Sequence, residues 1–202
     1  AACARLNWHD SIRGIARSPD HIDKLLAAGA DRSFVSTLYG LAAPLAQNDA
    51  GKALAFLEAG PRIVKRLIAL GGMALTSAVF ERAVQIAPFD AGVVSAFIDT
   101  APALIECLGK EGAEPIWLCA FTAATDRAED AVAILRDSPK RAEDLHTHLD
   151  TRQIGAIYGL GRRLCRFGSA LAVKFITGSD KLKKTLDESG LFRIAAITEQ
   201  IA

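Results

Sequence analysis

The segment DAGKALAFLEAGP starts at Asp49, and DAGVVSAFIDTAP repeats its frame 41 residues later, at Asp90. Asp-Ala-Gly, Phe56 or Phe97, and Pro61 or Pro102 fall in register. Self-similarity at such a period marks supersecondary units that cannot bury their apolar faces alone and therefore stack. Anchored on the proline, the pattern continues with an apolar residue three places on and a leucine six places on. Pro19–Ile22–Leu25, Pro61–Val64–Leu67, Pro102–Ile105–Leu108 and Pro139–Ala142–Leu145 obey it. In a fifth copy Ser179 replaces the proline, followed by Leu182 and Leu186. Ile15, Phe56, Phe97, Leu135 and Phe175 precede the anchors at steps of 41, 41, 38 and 40.

Proline suits the first position of a helix, where its missing N–H has no partner to lose. Ser18, Ser138 and Ser179 are therefore expected as N-caps of helices that begin at or beside the anchors. Asp49 and Asp90 are expected to cap the short helices upstream, each contributing ~1 kcal/mol. Those short helices should end at Gly60 and near Thr100, and longer ones should cover Met73–Ala87 and Arg152–Arg166. The expected architecture is all-α, with about five three-helix repeats at residues 8–48, 49–89, 90–127, 128–167 and 168–202.

Composition agrees. Half of the 202 residues are hydrophobic, so the chain can bury a core, while aromatics are only 6%. Alanine and leucine dominate and β-branched runs are few, which favours closely packed helices. A net charge of +1 gives the whole molecule no bias toward nucleic acid or acidic membranes. The uncharged runs Ser33–Asn48 and Leu67–Phe80 fall short of the roughly 18–20 residues that cross a bilayer and read as buried helices. No charged start followed by an apolar stretch signals secretion. Cys3, Cys107, Cys119 and Cys165 form neither a disulfide framework nor a zinc pattern. They are expected as buried thiols in a reducing, cytoplasmic compartment.

The repeats resemble the armadillo and HEAT class of α-solenoids over essentially the whole chain, from Trp8 to Ala202. That resemblance implies a right-handed α-α superhelix whose third helices line a concave groove for an extended partner. The wording NWHDSIRGIARSPDHIDKLL and ALAFLEAGPRIVKRL also resembles helical repeats that precede von Willebrand A domains in bacterial proteins related to nitric-oxide-reductase activation protein D. Such proteins are associated with MoxR-type ATPases in metalloenzyme maturation, which implies a helical arm. The Asp-x-Ser-x-Ser motif of the von Willebrand A domain is not in this sequence.

Motifs for chemistry are sparse. YGLGRRL at Tyr158–Leu164 lacks the third glycine and preceding strand of a nucleotide loop. Gly155 and Gly159 instead suit one helix face that admits a close neighbour. A Gly-x-Ser-x-Gly elbow and a His-Glu-x-x-His helix are absent, and no catalytic residue is assigned. In EDLHTHLD, His146 and His148 are two apart and diverge on a continuous helix, so no metal or other cofactor is assigned.

Charge distribution says more. Residues 102–150 carry 5 Lys/Arg against 10 Asp/Glu, and residues 151–202 carry 9 against 4. On a continuous helix Arg152, Arg163 and Arg166 share a face, with Lys174, Lys181, Lys183 and Lys184 beyond. Such a stripe grips phosphates, meets an acidic partner, pairs with the acidic block or faces solvent. Phe167 and Phe192 are assigned to the core. By the solenoid analogy, Arg82, Gln85, Trp117, Arg152, Gln153, Arg163 and Arg166 are the candidate partner-binding residues. The expected function is a non-catalytic scaffold for a protein partner, or an arm of a larger assembly. The alternative is a solenoid that binds nucleic-acid phosphates through its C-terminal basic region.

Overall fold

A computed structural model describes residues 8–48, 50–86 and 90–179. Among the described residues all regular structure is helical, as the apolar spacing requires. The order is α1 (Trp8–Ala27), α2 (Arg32–Asn48), α3 (Ala50–Ile86), α4 (Ala91–Ala124), α5 (Ala128–His146) and α6 (Thr151–Leu164). A 3-10 turn at Cys165–Phe167 then leads to α7 (Ser169–Gly178). The chain forms two compact units, Ala1–Pro102 and Ala103–Ala202.

Helices do not divide at the prolines. Pro19, Pro61 and Pro139 lie inside α1, α3 and α5, and Pro102 lies inside α4. Ser18 and Ser138 are accordingly interior residues rather than caps, and Ser179 ends α7, its Oγ donating to Ile176 O at 2.6 Å. The expected three-helix unit, with a helix starting at each anchor, gives way to a helix that runs through it. An interior proline costs about 3 kcal/mol, in part because it orphans the carbonyl four residues back. That cost falls if another group supplies the missing donor.

In the first unit His21 does so. Pro61 has no N–H for Leu57 O, and His21 Nε2, from α1, donates to that carbonyl. Its Nδ1 lies 2.9 Å from Tyr39 Oη of α2, which donates in return. The imidazole is therefore the neutral Nε2–H tautomer. Burial, with Lys24 nearby, holds its pKa below the ordinary histidine value, against the opposing pull of the Leu57 carbonyl and Glu58. Ser18 Oγ completes the chain, donating to Tyr39 Oη at 3.4 Å. One backbone acceptor thus joins α1, α2 and α3.

The breaks fall at glycines. α3 leaves helical geometry at Gly71 and Gly72, and α4 at Gly109; Gly72 and Gly109 have φ of 71° and 73°, a region glycine enters at little cost. A straight helix would hold Phe56 and Phe80 about 36 Å apart at about 1.5 Å per residue. Their ring centroids are 6.3 Å apart, so α3 folds back on itself as two limbs. Phe34 of α2 stacks edge-on against Phe80, with centroids at 4.8 Å, and all three rings are buried. The repeat is a pair of helices, with the proline in the middle of the first.

This places a second set of residues in phase. The residue before each proline is followed 20 or 21 positions later by an aromatic: Ser18 and Tyr39, Gly60 and Phe80, Ala101 and Phe121, Ser138 and Tyr158. Tyrosine occurs only where serine precedes the proline. In the second unit Ser138 Oγ shares hydrogen bonds with Ile134 O and with Tyr158 Oη, the latter at 2.9 Å. Both side chains are buried, and burial pushes the phenol up to about 12. The helix following each of these two serines is capped alike. Phe34 N donates to Asp31 Oδ1 and Gln153 N to Asp150 Oδ1, both at 2.7 Å. Asp90 caps α4 as expected, accepting from Gly92 N and Val93 N at 2.6 and 3.0 Å. Asp49 lies outside the described residues.

α3 and α4 are long and apolar enough to cross a membrane by length and composition alone, with 18-residue windows of mean hydropathy 1.6 and 1.5. Their glycine breaks divide both. The first limb of α3 also carries Lys52, Glu58, Arg62, Lys65 and Arg66, which a bilayer core disfavours.

Two measurements of urea unfolding check these contacts. Ser138→Ala leaves the buried Tyr158 hydroxyl unsatisfied and is expected to cost about 1–3 kcal/mol. The double variant Ser138→Ala/Tyr158→Phe, which recreates the pairing of Ala101 with Phe121, should cost less than the two single changes summed. Likewise, His21→Leu should destabilise the chain by about 1–3 kcal/mol, and by clearly less in a Pro61→Ala background, where the restored N–H at position 61 serves Leu57 O. Equal costs in the two backgrounds would break the link between His21 and the proline.

Candidate interaction surface

The residues singled out in the sequence are divided between the two units. Arg82 is half-buried and Gln85 exposed on the second limb of α3, in the first unit. The other five belong to the second unit. Trp117 is 2% exposed and belongs to the core, so it offers a partner no surface. Gln153 closes a capping box with Asp150: its Oε1 accepts from Asp150 N at 2.9 Å while its own N–H bonds the aspartate. Arg152 is exposed and Arg163 half-buried on α6. The helix expected to run to Arg166 stops at Leu164, so Arg166, exposed in the 3-10 turn, leaves the projected stripe. Lys181, Lys183, Lys184 and Phe192 lie outside the described residues.

The turn between α6 and α7 is firmly held. Ser169 opens α7, and its N–H and Oγ both bond Asp126 Oδ2, at 2.8 and 2.9 Å. Its Oγ also lies 2.6 Å from Asp130 Oδ2. These two donors from Ser169 are the main reason the Asp126 carboxyl sits below the usual carboxylate range. The start of α7 is thereby fixed to the turn between α4 and α5. Gly161 brings α6 close to both neighbours: a Cβ there would stand 2.9 Å from Ile176 Cδ1 and 3.2 Å from Cys119 Sγ. Arg162 Nε, one residue on, donates to Thr122 Oγ1 at 3.3 Å.

On this fixed corner Phe167 is 57% exposed and Leu171 44%. They are four residues apart, flanked by the exposed Arg166 and, one turn beyond Leu171, the exposed Lys174. The sequence reading assigned Phe167 to the core, and the structure corrects it. The available signal was its place after Arg162, Arg163 and Arg166 and directly before Gly168, where a helix ends and its last residues lose their neighbours. Leu26 and Val84 are the other exposed large hydrophobics among the described residues. No group of three or more His, Cys, Asp or Glu side chains suited to a metal occurs among the described residues, and His146 and His148 are exposed.

No family model, no curated protein and no solved structure matches this chain.

The packing at Gly161 has a measurable signature. Gly161→Ala is expected to destabilise the chain by about 1–3 kcal/mol through overpacking. Gly159→Ala, whose added Cβ meets nothing within 4 Å, should be neutral or stabilising by up to about 1 kcal/mol from helix propensity. Thermal unfolding of the two variants side by side checks this, since they share the helix and the chemistry and differ only in the space available.

Proposed function

We propose that this chain is a non-catalytic helical-repeat scaffold that binds a protein partner, its helix pairs stacking as an armadillo- or HEAT-like right-handed superhelix. The unit of that superhelix is two helices of about 40 residues rather than three, the first helix of each carrying an interior proline in the four copies anchored at Pro19, Pro61, Pro102 and Pro139. The spacing of the proline anchors supports the stacking, and the recurring serine–tyrosine contacts support the equivalence of the pairs. α3 and α4 belong to this scheme as broken helix pairs rather than membrane spans. Its place of action is the reducing cytoplasm.

The observation that carries the binding role is the exposed pair Phe167 and Leu171 set between Arg166 and Lys174. Exposed apolar side chains rimmed by charge are where soluble proteins dock one another. The cations select for an acidic segment and the two apolar side chains for hydrophobic anchors spaced along it. The partner that fits is an amphipathic acidic helix or strand.

Display of random peptides against the full chain tests this. Enriched sequences should combine Asp or Glu with Leu, Phe or Trp, and Phe167→Ser/Leu171→Ser should lower their affinity at least about tenfold, the scale of one lost anchor. No enrichment, or enriched peptides indifferent to the double variant, overturns the assignment. A mixed-sequence oligonucleotide is the control: tight binding that falls by orders of magnitude between roughly 50 and 200 mM salt points to the phosphate-binding alternative instead.

A further inference from the structure

Cys119 and Cys165 are both buried, at 0% and 8% exposure, and they converge on Gly161 from two elements. Cys119, on α4, packs where a side chain at position 161 would stand, with Sγ 3.2 Å from that point. Cys165, at the end of α6 and four residues after Gly161, directs its Sγ back along the helix and donates to Gly161 O at 3.4 Å. Both thiols therefore meet at the same glycine, one from α4 and one from the end of α6. The pair is polarised: Cys165 is held below the ordinary thiol range chiefly by Cys119, and Cys119 is raised by Cys165 and by burial. Cys107, also on α4, is half-buried, and burial with Glu143 nearby pushes it up.

We propose that Cys119 and Cys165 form a reversible disulfide that ties α4 to the end of α6 when the chain meets a peroxide. Cys165, with its small exposed fraction, is the sulfur that reacts first. It attacks one peroxide oxygen, the O–O bond breaks, and its thiol proton leaves with the departing hydroxide as water, giving a sulfenic acid. Cys119 then attacks that sulfur. The S–S bond forms as the S–O bond breaks, and the Cys119 proton leaves with hydroxide as a second water. Two thiols lose two electrons and hydrogen peroxide gains them. Both sulfurs stand against Gly161, and the bond requires them to close on each other to ~2 Å beside that glycine. A dithiol reductant reverses the step by exchange.

The test uses the full chain in a Cys3→Ser/Cys107→Ser background, which leaves only this pair. Hydrogen peroxide should remove two hydrogens from the intact mass, protect both sulfurs from alkylation after unfolding, and give a Cys119–Cys165 linked peptide that dithiothreitol releases. Cys119→Ser should halt the reaction at a Cys165 sulfenic acid trapped by dimedone, whereas Cys165→Ser should leave Cys119 unreacted. The assignment is overturned if both thiols remain alkylatable after peroxide, if the oxidised product is an intermolecular dimer, or if Cys119 is trapped in preference to Cys165. Because the readout is covalent and needs no partner, it stands or falls independently of peptide binding at Phe167 and Leu171.

Discussion

One backbone carbonyl organises the first unit. Proline at position 61 takes the intrahelical donor away from Leu57 O, and a carbonyl buried without a donor is among the more costly groups a fold can contain. His21 answers it from α1, Tyr39 fixes the histidine tautomer from α2, and Ser18 orders the tyrosine. The packing of Phe34, Phe56 and Phe80 is non-directional and tolerates sliding. The polar chain does not, because each member must present a particular atom to the next. It therefore sets the register at which the apolar faces meet.

The second unit reaches a comparable result by another route. Pro139 again sits inside a helix, but the polar contact beside it is Ser138 with Tyr158, within a single pair of helices. The join to α7 is made instead by Asp126 and Asp130 on Ser169, and by the space that Gly161 leaves open. A tightly fixed corner can present Phe167 and Leu171 to solvent without collapsing over them. The rigidity of the corner and the exposure of its apolar side chains are thus parts of one arrangement.

Much of this was legible in the sequence, but with one sign inverted. The period, the anchors and the helical class follow from spacing alone. What proline does at each anchor does not: at a helix start it loses nothing, and inside a helix it needs a donor from elsewhere, here a histidine 40 residues away in the chain. No motif marks His21, because its partner is a carbonyl, which every residue has. The same limit explains the exchange of Trp117 and Phe167. Trp117 sits within α4 and is covered by packing, whereas Phe167 falls past the point at which α6 stops and is left exposed, and neither outcome is marked by the residue type. Asp90 was easier, since an N-cap acts within its own turn.

The sideways hydrogen bond at Leu57 also gives the helix pairs an address. With Pro61 inside it, α3 arrives with an acceptor that its own coil cannot use, and the ring nitrogen of His21 on the neighbouring helix is its complement. α3 is matched in this way to the α1–α2 pair and is not interchangeable with α5, whose serine finds its tyrosine internally. Order along the chain is therefore written in main-chain polarity as well as in greasy surface. Shuffling or excising the first pair would strand a naked carbonyl at a freshly opened apolar face.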